Sequence, residues 1–229
     1  MALKNILDKD VIFRDITLKK YLRLVKDCLD EDLYEGALII SQIKLEQIIK
    51  RIIKYTYKIN QISPTSIDIY LDNTAKNINI LTNICFQEAY GKNCEQFIID
   101  GLDKSEEKKH FKNLWDNFIL SSKTLRNSLI HTGSSSSPAS LVFSAINNIY
   151  LIDLIRYSFN RSYPHFDIIG KFSKLKVSTK KYKYNTVEDF LGKKKKILLN
   201  SRTRSIDFRK LKHTCLSYQV YLKESINAP

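Results

Sequence analysis

Glycine and proline are scarce in this chain, with 6 and 4 among 229 residues. That is too few for the repeated tight turns of a strand-rich domain, while long stretches of Leu, Ile, Lys and Glu favour helices. Cysteine is equally sparse. Cys28, Cys85, Cys94 and Cys215 stand far apart with no C-x-x-C pair, which argues against a zinc ribbon and a disulfide framework. They are expected to be reduced packing residues. No run approaches the 18 or so uncharged apolar residues of a membrane span, and the opening MALKNILDKDVIF has no signal-peptide core. A soluble, cytoplasmic protein without membrane contact is expected. His110, His165 and His213 show no metal-ligand spacing to each other or to acidic residues, so neither a metal nor a cofactor is expected.

What is present is positive charge, placed unevenly. From Lys171 to Pro229 there are 16 Lys/Arg against 4 Asp/Glu, leaving 22 against 20 in the preceding residues of a chain whose formal net charge is +14. A nearly neutral body therefore carries a basic C-terminal segment, and such a segment points to a polyanionic partner. The boundary is placed at Tyr163-Pro164, giving a helical domain over 1–164 and a basic extension over 165–229.

Apolar periodicity predicts the helices. The first runs to Asp30 with Asp15 as its N-cap, and a long amphipathic helix covers Leu33 to Ile59, ending before Ser63-Pro64. A third is expected from Ser66 to Tyr90, stopped by Gly91, with a short piece over Cys94 to Leu102. Ser105 then precedes EEKKHFKNLWDNFILSSKTLRNSLIH, whose Phe111, Trp115, Phe118, Ser122, Leu125 and Leu129 form one stripe. Gly133 ends that helix, and Ser137-Pro138 supplies an N-cap and a first-turn proline for a helix over Ala139 to Asn160. This last helix is apolar on nearly all sides, so core packing combined with a subunit contact is expected of it. Short helices or strands are expected at Thr186 to Leu191 and Cys215 to Leu222. The fold class is all-α.

Arg126-Asn127-Ser128-Leu129-Ile130-His131 is the stretch that bears on chemistry. Asn127 and His131 are four apart and share a helical face, whereas Arg126 lies about 140° round from His131. A long Arg side chain bridges part of that angle, or two subunits bring their motifs together. An R-N-x-x-x-H sequence near the end of a late helix, after several helical hairpins, resembles the HEPN superfamily, and the resemblance covers about residues 15–160. It implies a HEPN-like helical bundle whose motifs meet in a homodimer and cleave RNA without a metal. Catalytic roles are implied for Arg126, Asn127 and His131. The implied reaction is attack by the ribose 2′-hydroxyl, giving a 2′,3′-cyclic phosphate and a 5′-hydroxyl. The family also suggests a toxin or anti-phage effector under the control of an antitoxin or another defence-system protein, with transfer RNA among the candidate substrates. Residues of the same type occur in a blander role, as helix C-terminal capping groups and solvated charges.

The basic extension supplies candidate RNA contacts at Lys180, Lys181, Lys183, Lys193, Lys194, Lys195, Lys196, Arg202 and Arg204. Tyr182, Tyr184 and Phe190 are placed to stack on unpaired bases, or else to pack as ordinary aromatics. Two rival readings share the same features. One is a non-catalytic HEPN module that binds RNA or a nucleotide or scaffolds another protein, and the other is a DNA-binding regulator that uses the tail.

Overall fold

The computed structural model describes residues 16–102, 105–123, 137–162 and 182–193. These form an all-α protein, with no strand among the described residues beyond one isolated bridge between Ile62 and Tyr184. The helices are α1 (Ile16–Asp30), α2 (Tyr34–Ile59), α3 (Pro64–Thr74), a π-helical turn (Ile80–Cys85), α4 (Phe86–Tyr90), α5 (Cys94–Asp100), α6 (Ser105–Lys123), α7 (Pro138–Ser162) and α8 (Val187–Gly192). No helix among the described residues is long and apolar enough to cross a membrane.

Two helix ends are closed by left-handed residues other than glycine. Asp32 has φ 59° and Gln61 φ 62°. At the first, Leu33 N–H donates to the Cys28 carbonyl at 2.7 Å; at the second, Ile62 N–H donates to the Tyr57 carbonyl at 3.2 Å. Each is the six-to-one bond of a Schellman cap, in which an L-residue bears a cost that glycine does not. The Gln61 side chain is exposed, so Gln61→Gly is expected to stabilise the fold by about 0.5–1 kcal/mol net of the extra chain entropy of glycine. Thermal denaturation checks this, and an unchanged or lower midpoint contradicts it.

The sequence predicts one helix from Ser66 to Tyr90, and the structure breaks it. Helix α3 starts at Pro64 and stops at Thr74, and the chain restarts where the Asn77 side chain accepts a hydrogen bond from Ile80 N–H at 3.0 Å. Asn77 is an N-cap inside an apolar-periodic stretch, and the local bond it offers outweighs continuation of the helix. The restarted helix opens as a π turn and ends at Gly91, which is left-handed at φ 75°.

The chain separates into two compact units. Of the described residues, the first holds 16–45, 102, 105–123 and 137–158. Its core combines Ala37, Leu38 and Leu45 of α2 with Phe111, Leu114, Trp115 and Phe118 of α6 and the apolar residues of α7. Leu141, Ile146, Ile149, Leu151, Ile152 and Ile155 are all buried within the single chain. These residues meet the core-packing part of what the sequence predicts for α7.

The second unit holds 46–101, 159–162 and 182–193. Ile48, Ile49, Ile52 and Ile53 of α2 are buried, and an aromatic cluster extends from them. Tyr55 meets Phe159 edge-on at 5.8 Å, Phe97 lies 6.2 Å from Phe159, and Phe86 stacks on Tyr90 at 4.8 Å. The segment 182–193 belongs to this core. Tyr184, Val187 and Phe190 are buried, Phe190 meets Tyr57 at 6.1 Å, and Lys183 N–H donates to the Gln61 carbonyl at 2.9 Å. Thr186 caps α8 by accepting from Asp189 N–H at 3.0 Å, so the short element expected there is helical.

Candidate functional site

Arg126, Asn127 and His131 lie outside the described residues, as do Leu125 and Leu129 of the predicted stripe. The elements on either side of them are well built. Helix α6 is described as far as Lys123, and α7 begins at Pro138. Ser137 caps α7, its hydroxyl accepting from Ser140 N–H at 3.4 Å, with Pro138 in the first helical position where a missing N–H costs nothing.

Three buried amide side chains tie α2, α6 and α7 together in pairs. Gln42 Nε2 on α2 donates to Ser121 Oγ on α6 at 3.5 Å, and Asn148 Nδ2 on α7 donates to Ser41 Oγ on α2 at 3.0 Å. Asn147 Nδ2 on α7 closes the triangle by donating to the Leu114 carbonyl on α6 at 3.0 Å. Ser41 and Ser121 pass the chain on to the Leu38 and Phe118 carbonyls. Gln42, Asn147 and Asn148 are at most 1% exposed, and each leaves its amide oxygen without a protein partner. Apolar packing tolerates small slips along a helix, whereas a buried donor must meet its acceptor, so this triangle fixes the register of the helix pair that bounds the motif. Sequence reasoning passed these residues over. Their signal is the pair Asn147-Asn148 in the middle of an otherwise apolar helix.

In the second unit, buried polar groups gather round Tyr70. Its hydroxyl donates to the Glu88 carboxylate, and its ring meets Tyr57 edge-on at 5.9 Å. Burial, and then the bond to Glu88, push the Tyr70 phenol above its ordinary range. Burial and the Glu88 charge do the same to Tyr57. Burial also raises the Cys85 and Cys94 thiols, so neither is an activated nucleophile, and both are free cysteines as the sequence leads one to expect. None of these groups is tuned for acid–base work near neutrality. Their effect belongs to alkaline stability. A phenol whose pKa is higher in the folded than in the unfolded chain contributes stability that is complete below about pH 10 and is lost as the pH rises toward the folded value. Wild type is therefore expected to lose denaturant resistance above pH 10 more steeply than Tyr57→Phe, and equal slopes in urea midpoint against pH would refute it.

Of the nine candidate RNA-contacting residues, Lys183 and Lys193 are described, and the structure brings both to the Tyr184 ring. Lys180, Lys181, Lys194, Lys195, Lys196, Arg202 and Arg204 lie outside the described residues. The aromatic residues between them need a correction. Tyr184 is 4% and Phe190 2% exposed, packed on each other at 5.3 Å, so they are core residues and present no face to a base. Only Tyr182, at 36% exposure, remains open to solvent among the three. No group of three or more His, Cys, Asp and Glu among the described residues is placed to hold a metal ion. No family model, curated protein or solved structure matches the chain.

Proposed function

We propose that this protein is a HEPN-type endoribonuclease that cleaves RNA without a metal, acting as a homodimer with Arg126, Asn127 and His131 at its centre. The observation that carries the reading is the spacing Arg126-Asn127-x-x-x-His131, which follows α6 and precedes α7 in the sequence of an all-α chain. The tie from Asn147 on α7 to the Leu114 carbonyl on α6 supports it, because the helices bounding the motif are held in fixed register. The basic run after Lys171 supplies attraction for the polyanion.

RNA carries its own nucleophile, so the protein needs only to move protons and stabilise charge. Imidazole, with an ordinary pKa of about 6.5, takes the 2′-hydroxyl proton at neutral pH. The 2′-oxygen bonds to phosphorus and the bond to the 5′-oxygen breaks; that oxygen leaves with a proton from the second subunit's imidazole. Arg126 offers a permanently charged planar fork to the anionic transition state, and Asn127 orients the imidazole or contacts a non-bridging oxygen. The products are a 2′,3′-cyclic phosphate and a 5′-hydroxyl. A growth-arresting toxin or defence effector restrained by a partner protein is the matching cellular role, with transfer RNA as a substrate to try first.

The test is cleavage of end-labelled RNA in EDTA by wild type and His131→Ala. Cutting by wild type alone, with binding retained in the variant, supports the enzyme. Binding without cutting by either protein supports the non-catalytic module.

A further inference from the structure

The lysines at either end of the segment 182–193 converge on one aromatic ring. Lys183 Nζ lies 5.9 Å and Lys193 Nζ 5.4 Å from the centroid of Tyr184. Both lysines are exposed, while the ring beneath them is buried and held edge-on by Phe190. The platform is anchored at two points, by Lys183 N–H on the Gln61 carbonyl and by Val187 and Phe190 in the core. Two like charges are therefore held against a low-dielectric wall, where attraction for an anion is strengthened. Glu188 and Asp189, the carboxylates of α8, are exposed and form no ion pair with either lysine. Among the described residues, neither lysine has an ion-pair partner.

Tyr182 stands next to Lys183 in the chain with its ring partly open to solvent. Two ammonium groups over one ring, with a partly exposed aromatic residue next to them in the chain, match a polymer that alternates phosphates with accessible π faces. A duplex hides its base faces, and an acidic protein has none to offer. We propose that Lys183 and Lys193, seated on Tyr184, bracket phosphates of single-stranded RNA while Tyr182 stacks on a base. The choice of RNA as the polymer rests on the nuclease reading; the bracket itself does not.

The experiment is fluorescence anisotropy of a labelled 12-nucleotide oligouridylate against full-length wild type, His131→Ala, Lys183→Gln/Lys193→Gln, Lys183→Arg/Lys193→Arg and Tyr182→Ala, across a salt series. Single-stranded DNA, duplex RNA and polyglutamate serve as competitors. Each lost phosphate contact lowers the slope of log affinity against log salt by about 0.7, so the double glutamine variant should lose about 1.4 and bind roughly tenfold more weakly at 0.15 M salt. The double arginine variant should keep the slope, which separates lost charge from a disturbed fold. Tyr182→Ala should weaken binding about fivefold with the slope unchanged. An unchanged slope in the glutamine variant overturns the bracket, as does competition by polyglutamate or duplex RNA equal to that by single strands. A normal slope loss in a protein that cuts no RNA leaves the bracket standing and removes the nuclease.

Discussion

His131→Ala is expected to reduce RNA cleavage by roughly 10²–10⁴-fold, the range that general acid–base help contributes, with RNA affinity near that of wild type. If the two imidazoles of a dimer share the work, one as base and one as acid, the single substitution removes both and the loss falls at the upper end. Arg126→Ala removes one preorganised charge contact, worth roughly 10²–10³-fold. Arg126→Lys should restore little of it, because an ammonium lacks the planar fork that matches phosphate oxygens. Single-turnover cleavage in EDTA, followed by analysis of the product ends, checks both. Cleavage by His131→Ala within about threefold of wild type would be far below the acid–base range and would end the assignment. So would a 3′-hydroxyl with a 5′-phosphate, since 2′-hydroxyl attack cannot produce it.

The helices are legible because burial imposes a period. Phe111, Trp115 and Phe118 recur at spacings of four and three, and all are buried. Ser137-Pro138 reads directly as a cap and a first turn, and α7 begins there. Legibility fails where a single polar side chain outweighs the period. One helix stops at Thr74 and Asn77 opens another within what reads as one apolar run, and only its bond to Ile80 N–H reveals the restart. The aromatic residues of the basic segment mislead for a related reason. Lysines around Tyr184 and Phe190 make the stretch read as a solvated nucleic-acid surface, yet the rings face the core and the charges face outward along the same few residues. Composition averages over the two faces of a chain, and a snorkelling lysine is compatible with either. The buried amides are the least legible of all, because the partner that makes each one tolerable is 79 residues away in Gln42–Ser121 and 107 in Ser41–Asn148.

Asn147→Asp is the substitution with the largest expected effect on the fold. Asn147 Nδ2 donates to the Leu114 carbonyl, and its oxygen already has no partner. An aspartate there loses the donor, turns an acceptor toward that carbonyl, and at neutral pH buries a charge with no cation paired to it. Leaving one buried charge uncompensated costs about 3–5 kcal/mol, a large part of the 5–15 kcal/mol that holds a typical domain together. For a chain of this length that amounts to a fall in melting temperature of roughly 6–20 °C. The carboxyl evades part of the penalty by staying protonated, so its folded pKa would lie above the unfolded value. Its neutral form is then favoured in the fold, and the deficit shrinks as the pH falls toward that value and grows as it rises. Asn147→Leu removes the same hydrogen bond without adding charge or an unpaired oxygen, and should cost less than about 1.5 kcal/mol. If the triangle serves register more than stability, Asn147→Leu will melt near wild type yet cleave RNA more slowly, because α6 and α7, which precede and follow the motif in the sequence, lose a tie between them. Equal melting curves for the Asp and Leu variants at pH 7 would mean that Asn147 is not buried among acceptors at all.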